Sequence, residues 1–515
     1  MTTRGVHAPS GRDVAIALSL ANLSCMRLWL EILGVTSKEA YFLDVANVDV
    51  LALVTNVLLL AALFLWGATV ARRRGRRGRQ LMVAGFVAVL LLRLNGLGPA
   101  LAPGIFTVVD SWRNAKYLDA LLPLLLLGGL AAAVARWPQR ALRLAVGFVL
   151  ILTPFVAVTF ARAAWILLVL DPTEALAAKS RPFGTPVREV PGPRVVVIVM
   201  DALSRYHAVD ARPDDLELPA FDRLRAESID ASQVTQIGWV TKVSLPAMLT
   251  GLPVVDSDPS SANDLLLQLA DGTERSWSAT SNVLGDAQRL GGVAVLAGWY
   301  HPYCRLFPNL DACSTFPTRT VGSRGRETGF LHALLDQQLA LVPYVNLRIR
   351  QVDIVEEQRL DAVEAVTLGQ RGLVFLHMIV PHTPWIWDDE DDDFTVTRFD
   401  DDGYYGNIAL MDAILGDLRR AMERAGKWDS TAVLLLSDHV MRYRPDYLDE
   451  PRDTRVPFLL KLPGGTQGVE YSRPFNALVT HDLVQALLRG ELQSVEDATR
   501  WLDTRAVPSS AAPLQ

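Results

Sequence analysis

The chain is predicted to join an N-terminal five-helix transmembrane bundle to an α/β domain with a mostly parallel central sheet. Three observations lead there. Half of the 515 residues are hydrophobic, with a mean hydropathy of +0.21, above the ~45–50 % apolar content of soluble chains, a figure that already counts glycine. The net charge of −6 conceals an asymmetry: residues 1–165 hold 17 Lys/Arg against 7 Asp/Glu (+10), and the remainder 33 against 49 (−16). Beyond residue 195, continuous β-branched runs alternate with helical segments. This composition excludes a disordered chain. The basic residues cluster in short loops between apolar runs, so they need no nucleic-acid partner.

The apolar runs fall at 14–33, 48–70, 81–97, 118–135 and 142–160. Each approaches the ~17–25 residues that cross a bilayer. The first is interrupted by Arg27 and Glu31, four residues apart and able to pair on one helix face. Arginines at 72–79 and at 136, 140 and 143 orient the bundle with its N-terminus inside, by the positive-inside rule. Five crossings then leave the fifth span on the outer side of a cytoplasmic membrane, with the second half of the chain periplasmic or its equivalent. The expected organisation is a transmembrane domain at 1–165, a linker or interfacial segment at 166–194, a soluble domain at 195–500 and a tail at 501–515. In an oxidising outer compartment, Cys304 and Cys313 admit a local disulfide. The alternative is a Cys/His metal site with His301, which lacks the usual paired spacing.

Apolar runs at 195–200, 293–297, 373–377 and 433–436 read as buried strands of a parallel sheet. Segments 219–227, 282–290, 354–368 and 408–425 read as the covering helices. Active residues in such sheets gather past the carboxyl ends of the strands. Asp201 follows the first run. His377 and Pro381-His382-Thr383-Pro384 follow the third, and Ser437-Asp438-His439 the fourth. Carboxylates and imidazoles together suit one divalent metal, Zn²⁺, Mn²⁺ or Mg²⁺. Residues 241–251 read as a loop entering a short helix stopped by Gly251, with Thr241 at the helix start. Thr241 is there either an N-cap or a hydroxyl activated by a metal or base. Lys242 beside it, and His301 and Arg305 in an aromatic segment after the second strand, are candidate substrate contacts.

These motifs, taken in order, resemble the alkaline phosphatase/sulfatase superfamily in its membrane-anchored branch of phosphoethanolamine transferases and lipoteichoic-acid synthase-like phosphoglycerol transferases. Thr241-Lys242-Val243-Ser244-Leu245-Pro246 is similar to the transferases' Thr-x-Val-Ser-x-Pro segment, which makes Thr241 the nucleophile. Ser437-Asp438-His439 matches the Ser-Asp-His metal motif, and Asp201 matches the first metal ligand. The resemblance implies a sulfatase-like α/β/α domain with a metal held by Asp201, Asp438, His439 and the Thr241 oxygen, and His382 or His377 as general acid. The implied activity moves phosphoethanolamine or phosphoglycerol from a membrane phospholipid to a cell-envelope glycan or lipid through a phospho-threonine. The alternatives are a membrane-bound sulfatase-like hydrolase or phosphodiesterase, and a non-catalytic relative. This chain departs from the branch in three places. Asp201 stands where those transferases carry Glu. Val440-Met441 replaces Gly-Glu after the Ser-Asp-His motif. The late histidine that binds substrate in those transferases has no match near Arg442–Asp449. Separately, the Cys/Ser-x-Pro-Ser-Arg motif of sulfatases proper is absent from the sequence.

Overall fold

The computed structural model describes residues 9–34, 38–74, 136, 138–170, 182–184, 187–317, 319–320, 329–341, 345–395, 403–442 and 453–506. Two compact units emerge, and they exchange segments. One comprises 1–35, 45–175 and 321–341, the other 36–44, 176–320 and 342–515. The sequence reading, in contrast, has contiguous stretches.

The first unit is helical. Helix α1 (Gly11–Ser24) is closed at its start by a capping box between Ser10 and Asp13. It meets α2 (Met26–Leu33) at a 66° bend. On α2, Arg27 pairs with Glu31 at 3.5 Å. Helix α3 (Asn47–Arg73) has 27 residues and so reaches about 40 Å, enough for a ~30 Å hydrocarbon core. Helices α4 (Pro138–Ile151) and α5 (Thr153–Trp165) contribute to a second candidate span, Arg143–Leu170. Both spans have a mean hydropathy of 2.4. Among the described residues there are thus two candidate spans, or three if the bent pair is one crossing, rather than a five-helix bundle. The runs expected at 81–97 and 118–135 lie outside the described residues.

The second unit is built on an eight-stranded sheet: β1 (Arg194–Asp201), β2 (Ile229–Ala231), β3 (Val293–Tyr300), β4 (Ala312–Pro317), β5 (Gly372–Pro381), β6 (Thr431–Ser437), β7 (Phe458–Lys461) and β8 (Val469–Tyr471), in the order β8-β2-β7-β6-β1-β5-β3-β4. The central strand β1 is buried along its whole length. Its side chains alternate with the period of a strand. Val195, Val197 and Val199 enter one apolar core; Val196, Ile198 and Met200 enter the other. That two-sided burial is why the run is continuously apolar.

The expected mostly parallel sheet is corrected: the sheet is mixed. β7 runs antiparallel to both β6 and β2. An antiparallel neighbour needs no helical crossover, and nothing in the composition of a four-residue apolar strand records its direction. The site depends on the parallel part. β5 and β6 flank β1 in parallel, with Pro381 level with Asp201 and Ser437 level with Met200. The three carboxyl ends therefore open on one edge.

Candidate metal centre and active site

Asp201 ends β1, and Asp438 and His439 follow β6 directly. Thr241 opens the helix Thr241–Thr250 after an extended Val240. Gly251 ends that helix at φ +71°, where a Cβ would come within 2.6 Å of the His481 ring. Asp201 and Asp438 are fully buried, and His439 and Thr241 nearly so. One ligand atom from each of Asp201, Asp438 and His439 falls within 4.8 Å of the others. Thr241 Oγ1 lies 3.4 Å from Asp201 Oδ2 and 3.3 Å from His439 Nε2.

The chemistry of this donor set fits a cation. His439 Nδ1 is 2.9 Å from Val440 O. A carbonyl only accepts, so Nδ1 carries the proton and Nε2 turns its lone pair inward. That lone pair faces Asp438 Oδ2 at 3.5 Å and Asp201 Oδ1 at 3.8 Å. His377 repeats the pattern: its Nδ1 faces Trp299 O at 2.9 Å, and its Nε2 lies 3.5 Å from Asp201 Oδ2. Asp201 Oδ1, Asp438 Oδ2 and His377 Nε2 are buried without a hydrogen-bond partner. Several buried lone pairs converging without donors are costly unless a positive charge lies among them. Burial alone would raise the Asp201 carboxyl. Positive charge among the surrounding imidazoles of His382, His377 and His439 opposes it, and the balance holds Asp201 down at about 2. It is therefore an anion at neutral pH.

A second layer of side chains orients the first. Asp438 Oδ1 accepts the N–H groups of Ala202 and His439. Ser437 Oγ accepts the Leu203 N–H and lies 2.7 Å from Met200 O. Gln358 clamps β5 at the histidine, donating to His377 O and accepting from Ile379 N. The Asn407 amide reaches His382 O at 3.1 Å and so holds the 381–384 loop. Where the resembled branch has Gly-Glu after Ser-Asp-His, Val440 and Met441 are buried, one in each core, and the Val440 N–H is held by Gln236 Oε1.

Ala202 adopts φ +64°, a left-handed conformation strained for a residue with a Cβ. Its N–H on Asp438 and its carbonyl under the Tyr404 hydroxyl (2.8 Å) hold it there. Ala202→Val is expected to lower stability by about 1–3 kcal/mol, read as a shifted denaturant midpoint, whereas Ala202→Gly should be tolerated. Equal losses from both would mean that the conformation carries no strain.

Other expected site residues are placed differently. Lys242 Nζ meets Asp256 Oδ1 at 2.7 Å and Ser257 O at 2.9 Å. The Arg305 guanidinium, almost wholly buried, donates to the carbonyls of Leu43, Ala40 and Tyr41. Both cations are thus engaged by protein groups in this arrangement. Cys304 and Cys313 are joined by a disulfide with a Cα–Cα distance of 5.7 Å, which ties the Arg305 turn to β4. His301 is fully buried and lies against Trp277, Tyr300 and Tyr303. Burial holds it well below the ordinary imidazole range, so it stays neutral.

The partner of His301 is a residue that sequence reading missed. The Tyr41 hydroxyl is 2.8 Å from His301 Nδ1. Tyr41 belongs to the short segment 36–44 of the second unit, where Leu43 and Asp44 pair in parallel with Arg319 and Thr320. No local pattern announces a contact across 260 positions. Tyr41→Phe is expected to cost about 1 kcal/mol of stability while metal content stays unchanged. Thermal unfolding and metal analysis of the purified variant check both, and lost metal would place Tyr41 in the centre itself.

Residues 350–489 match the family model Sulfatase. No curated protein matches the chain significantly. Solved structures similar to it include Ps i-CgsB in complex with k-i-k-neocarrahexaose (17 % identity, TM-score 0.38, covering 61 % of this chain and 76 % of that one). Another is the phosphonate monoester hydrolase of Agrobacterium radiobacter (14 %, 0.38, 58 % and 74 %). A third is a protein in the alkaline phosphatase superfamily from Vibrio parahaemolyticus (15 %, 0.36, 58 % and 67 %).

Proposed function

We propose that this protein is a membrane-anchored, metal-dependent transferase that moves a phospho-headgroup, phosphoethanolamine or phosphoglycerol, from a phospholipid to a cell-envelope glycan or lipid. The observation that carries this reading is the Thr241 hydroxyl, buried at a helix start within 3.4 Å of both Asp201 and His439. Asp201, Asp438 and His439, with Thr241 Oγ1, would hold one divalent ion, Zn²⁺, Mn²⁺ or Mg²⁺. When bound, such an ion lowers the pKa of a neighbouring hydroxyl and neutralises charge on phosphoryl oxygens.

The residues then divide the work. The positive dipole end at the start of the Thr241–Thr250 helix favours a phosphoryl group there. Thr241 Oγ1 attacks phosphorus, the new P–O bond forms, and the bond to the diacylglycerol oxygen breaks. His382, half-buried at the edge of the cluster, gives the departing oxygen its proton. The headgroup phosphate rests on Thr241 until an acceptor hydroxyl, its proton taken up by the now neutral His382, attacks the same phosphorus and releases the threonine oxygen. His377, tied down through Trp299 O, orients Asp201 and is the weaker candidate for the acid.

The anchor explains the donor. A catalytic unit tethered to the outer face of a cytoplasmic membrane meets lipid headgroups at high effective concentration. The second reading is a membrane-bound sulfatase-like hydrolase or phosphodiesterase, favoured by Asp201 in place of Glu. The third is a non-catalytic relative. Purified full-length protein incubated with phospholipid labelled in the headgroup separates them by mass spectrometry. A headgroup phosphate adduct on Thr241 and label passing to an acceptor support the transferase. An adduct that only water releases supports the hydrolase. Lack of any adduct with metal supplied would sink both.

A further inference from the structure

The helix Phe330–Leu339 is contributed by the sulfatase half of the chain but belongs to the same compact unit as α3. Its polarity is inverted. The face packed inside the unit carries Ala333 and the fully buried Gln337. The open face carries Leu331, Leu335 and Leu339, spaced one turn apart and 43–66 % exposed. A helix bathed in water places its leucines inward and its glutamines outward. Here Gln337 lies inward and the three leucines outward, while the half-exposed His332 sits 3.8 Å from Asp336 and Gln338 stays exposed.

The inner face is closed by a polar seam with α3. Asn56 Nδ2 donates to Leu334 O at 3.1 Å and to Gln337 Oε1 at 3.2 Å. Gln338 Nε2 donates to Asn56 Oδ1 at 3.0 Å, and Gln337 Nε2 to Asp49 O at 2.8 Å. Amide seams of this kind join helices where the surroundings are too apolar for leucine contacts to gain anything. Helix α3 shows the same inversion: Asp49 and Asn56 are buried while Leu58, Leu59 and Leu63 are about half exposed. Asn56 lies nine residues into α3, roughly 13 Å along its axis from Asn47. A ten-residue helix is about 15 Å long, half of a ~30 Å hydrocarbon core.

We propose that the Phe330–Leu339 helix is a half-depth membrane insertion, its Leu331–Leu335–Leu339 stripe facing lipid acyl chains in continuity with the lipid face of α3. The sulfatase half thus re-enters the bilayer between β4 and β5. The inference rests on the membrane reading of α3. Its occupant is the hydrocarbon of one leaflet, not a protein partner.

The test uses full-length protein in vesicles of phosphatidylethanolamine and phosphatidylglycerol containing doxyl-labelled phospholipid. On a Cys25→Ser background, single probes are placed through Leu335→Cys, Leu59→Cys on α3, and Asp271→Cys on an exposed turn of the catalytic unit. An environment-sensitive fluorophore at residue 335 should be blue-shifted and quenched to within twofold of the probe at 59, with no quenching at 271. Leu331→Cys repeats the measurement should the 335 variant fold poorly. A probe at 59 that is quenched while 335 and 331 remain water-like overturns this inference and leaves the anchor standing. Water-like probes at 59 and 335 alike overturn the anchor and this inference together. Efficient 335–335 disulfide cross-linking between copies in dilute vesicles also overturns it, because a second copy then covers the stripe.

Discussion

Thr241→Ala is expected to abolish the covalent adduct and lower turnover by roughly 10⁴-fold or more, the scale seen when a nucleophile is removed, while metal content stays near that of the unaltered protein. Thr241→Ser keeps a hydroxyl at the helix start and should recover adduct formation. The split matters because Thr241 Oγ1 touches both Asp201 and His439. If its main task were to complete the ligand set, the alanine variant would lose metal first and activity as a consequence. Intact-protein mass spectrometry and elemental analysis on the same preparation tell the two apart. An alanine variant that retains turnover would remove the phospho-threonine from the scheme altogether.

Chelation is expected to destabilise the catalytic unit even without substrate. With the ion gone, Asp201 and Asp438 stand buried beside inward lone pairs of His439 and His377. An ion present at about 100 times its dissociation constant adds about 2.7 kcal/mol to the folded state. Its removal should lower the melting temperature by roughly 5 °C, restored by excess Zn²⁺, Mn²⁺ or Mg²⁺. Asp438→Asn keeps an oxygen for the Ala202 and His439 N–H groups but points an amide into the cluster. In that variant the melting temperature should no longer respond to chelator. Unchanged melting of the native chain on chelation would mean that the centre holds no ion that matters to folding.

Much of this centre was legible in the sequence because its parts sit where strand pattern predicts. A run buried on both faces must be apolar throughout, so the first polar residue after it marks the strand end. That pattern places Asp201, Asp438 and His439 just past strand ends, and β1, β5 and β6 bring those ends to one edge. What was not legible depends on direction or on distant partners. Lys242 follows Thr241, but consecutive helical residues point about 100° apart, and its ammonium meets Asp256 instead of the cluster. Arg305 looked like a phosphate ligand because the carbonyls it serves lie some 260 residues earlier. The 330–339 helix was hidden for a related reason. At ten residues it is too short to register as a span, and its leucines read as core until their exposure is known. The antiparallel course of β7 left no trace in a strand of four residues.

The Arg305 contacts also set an order of events during biosynthesis. The Leu43 carbonyl and the Arg305 guanidinium are separated by 262 positions. At ~5–20 residues per second of synthesis, the 38–44 segment waits about 13–50 s on the ribosome for its partner. Throughout that interval Tyr41 has no His301 to meet, and its carbonyls have no guanidinium. The second unit therefore closes late, around a piece delivered first. A fragment that begins after Leu170 would contain every residue of the metal cluster yet never receive that piece, and Arg305 would be left buried without its three acceptors.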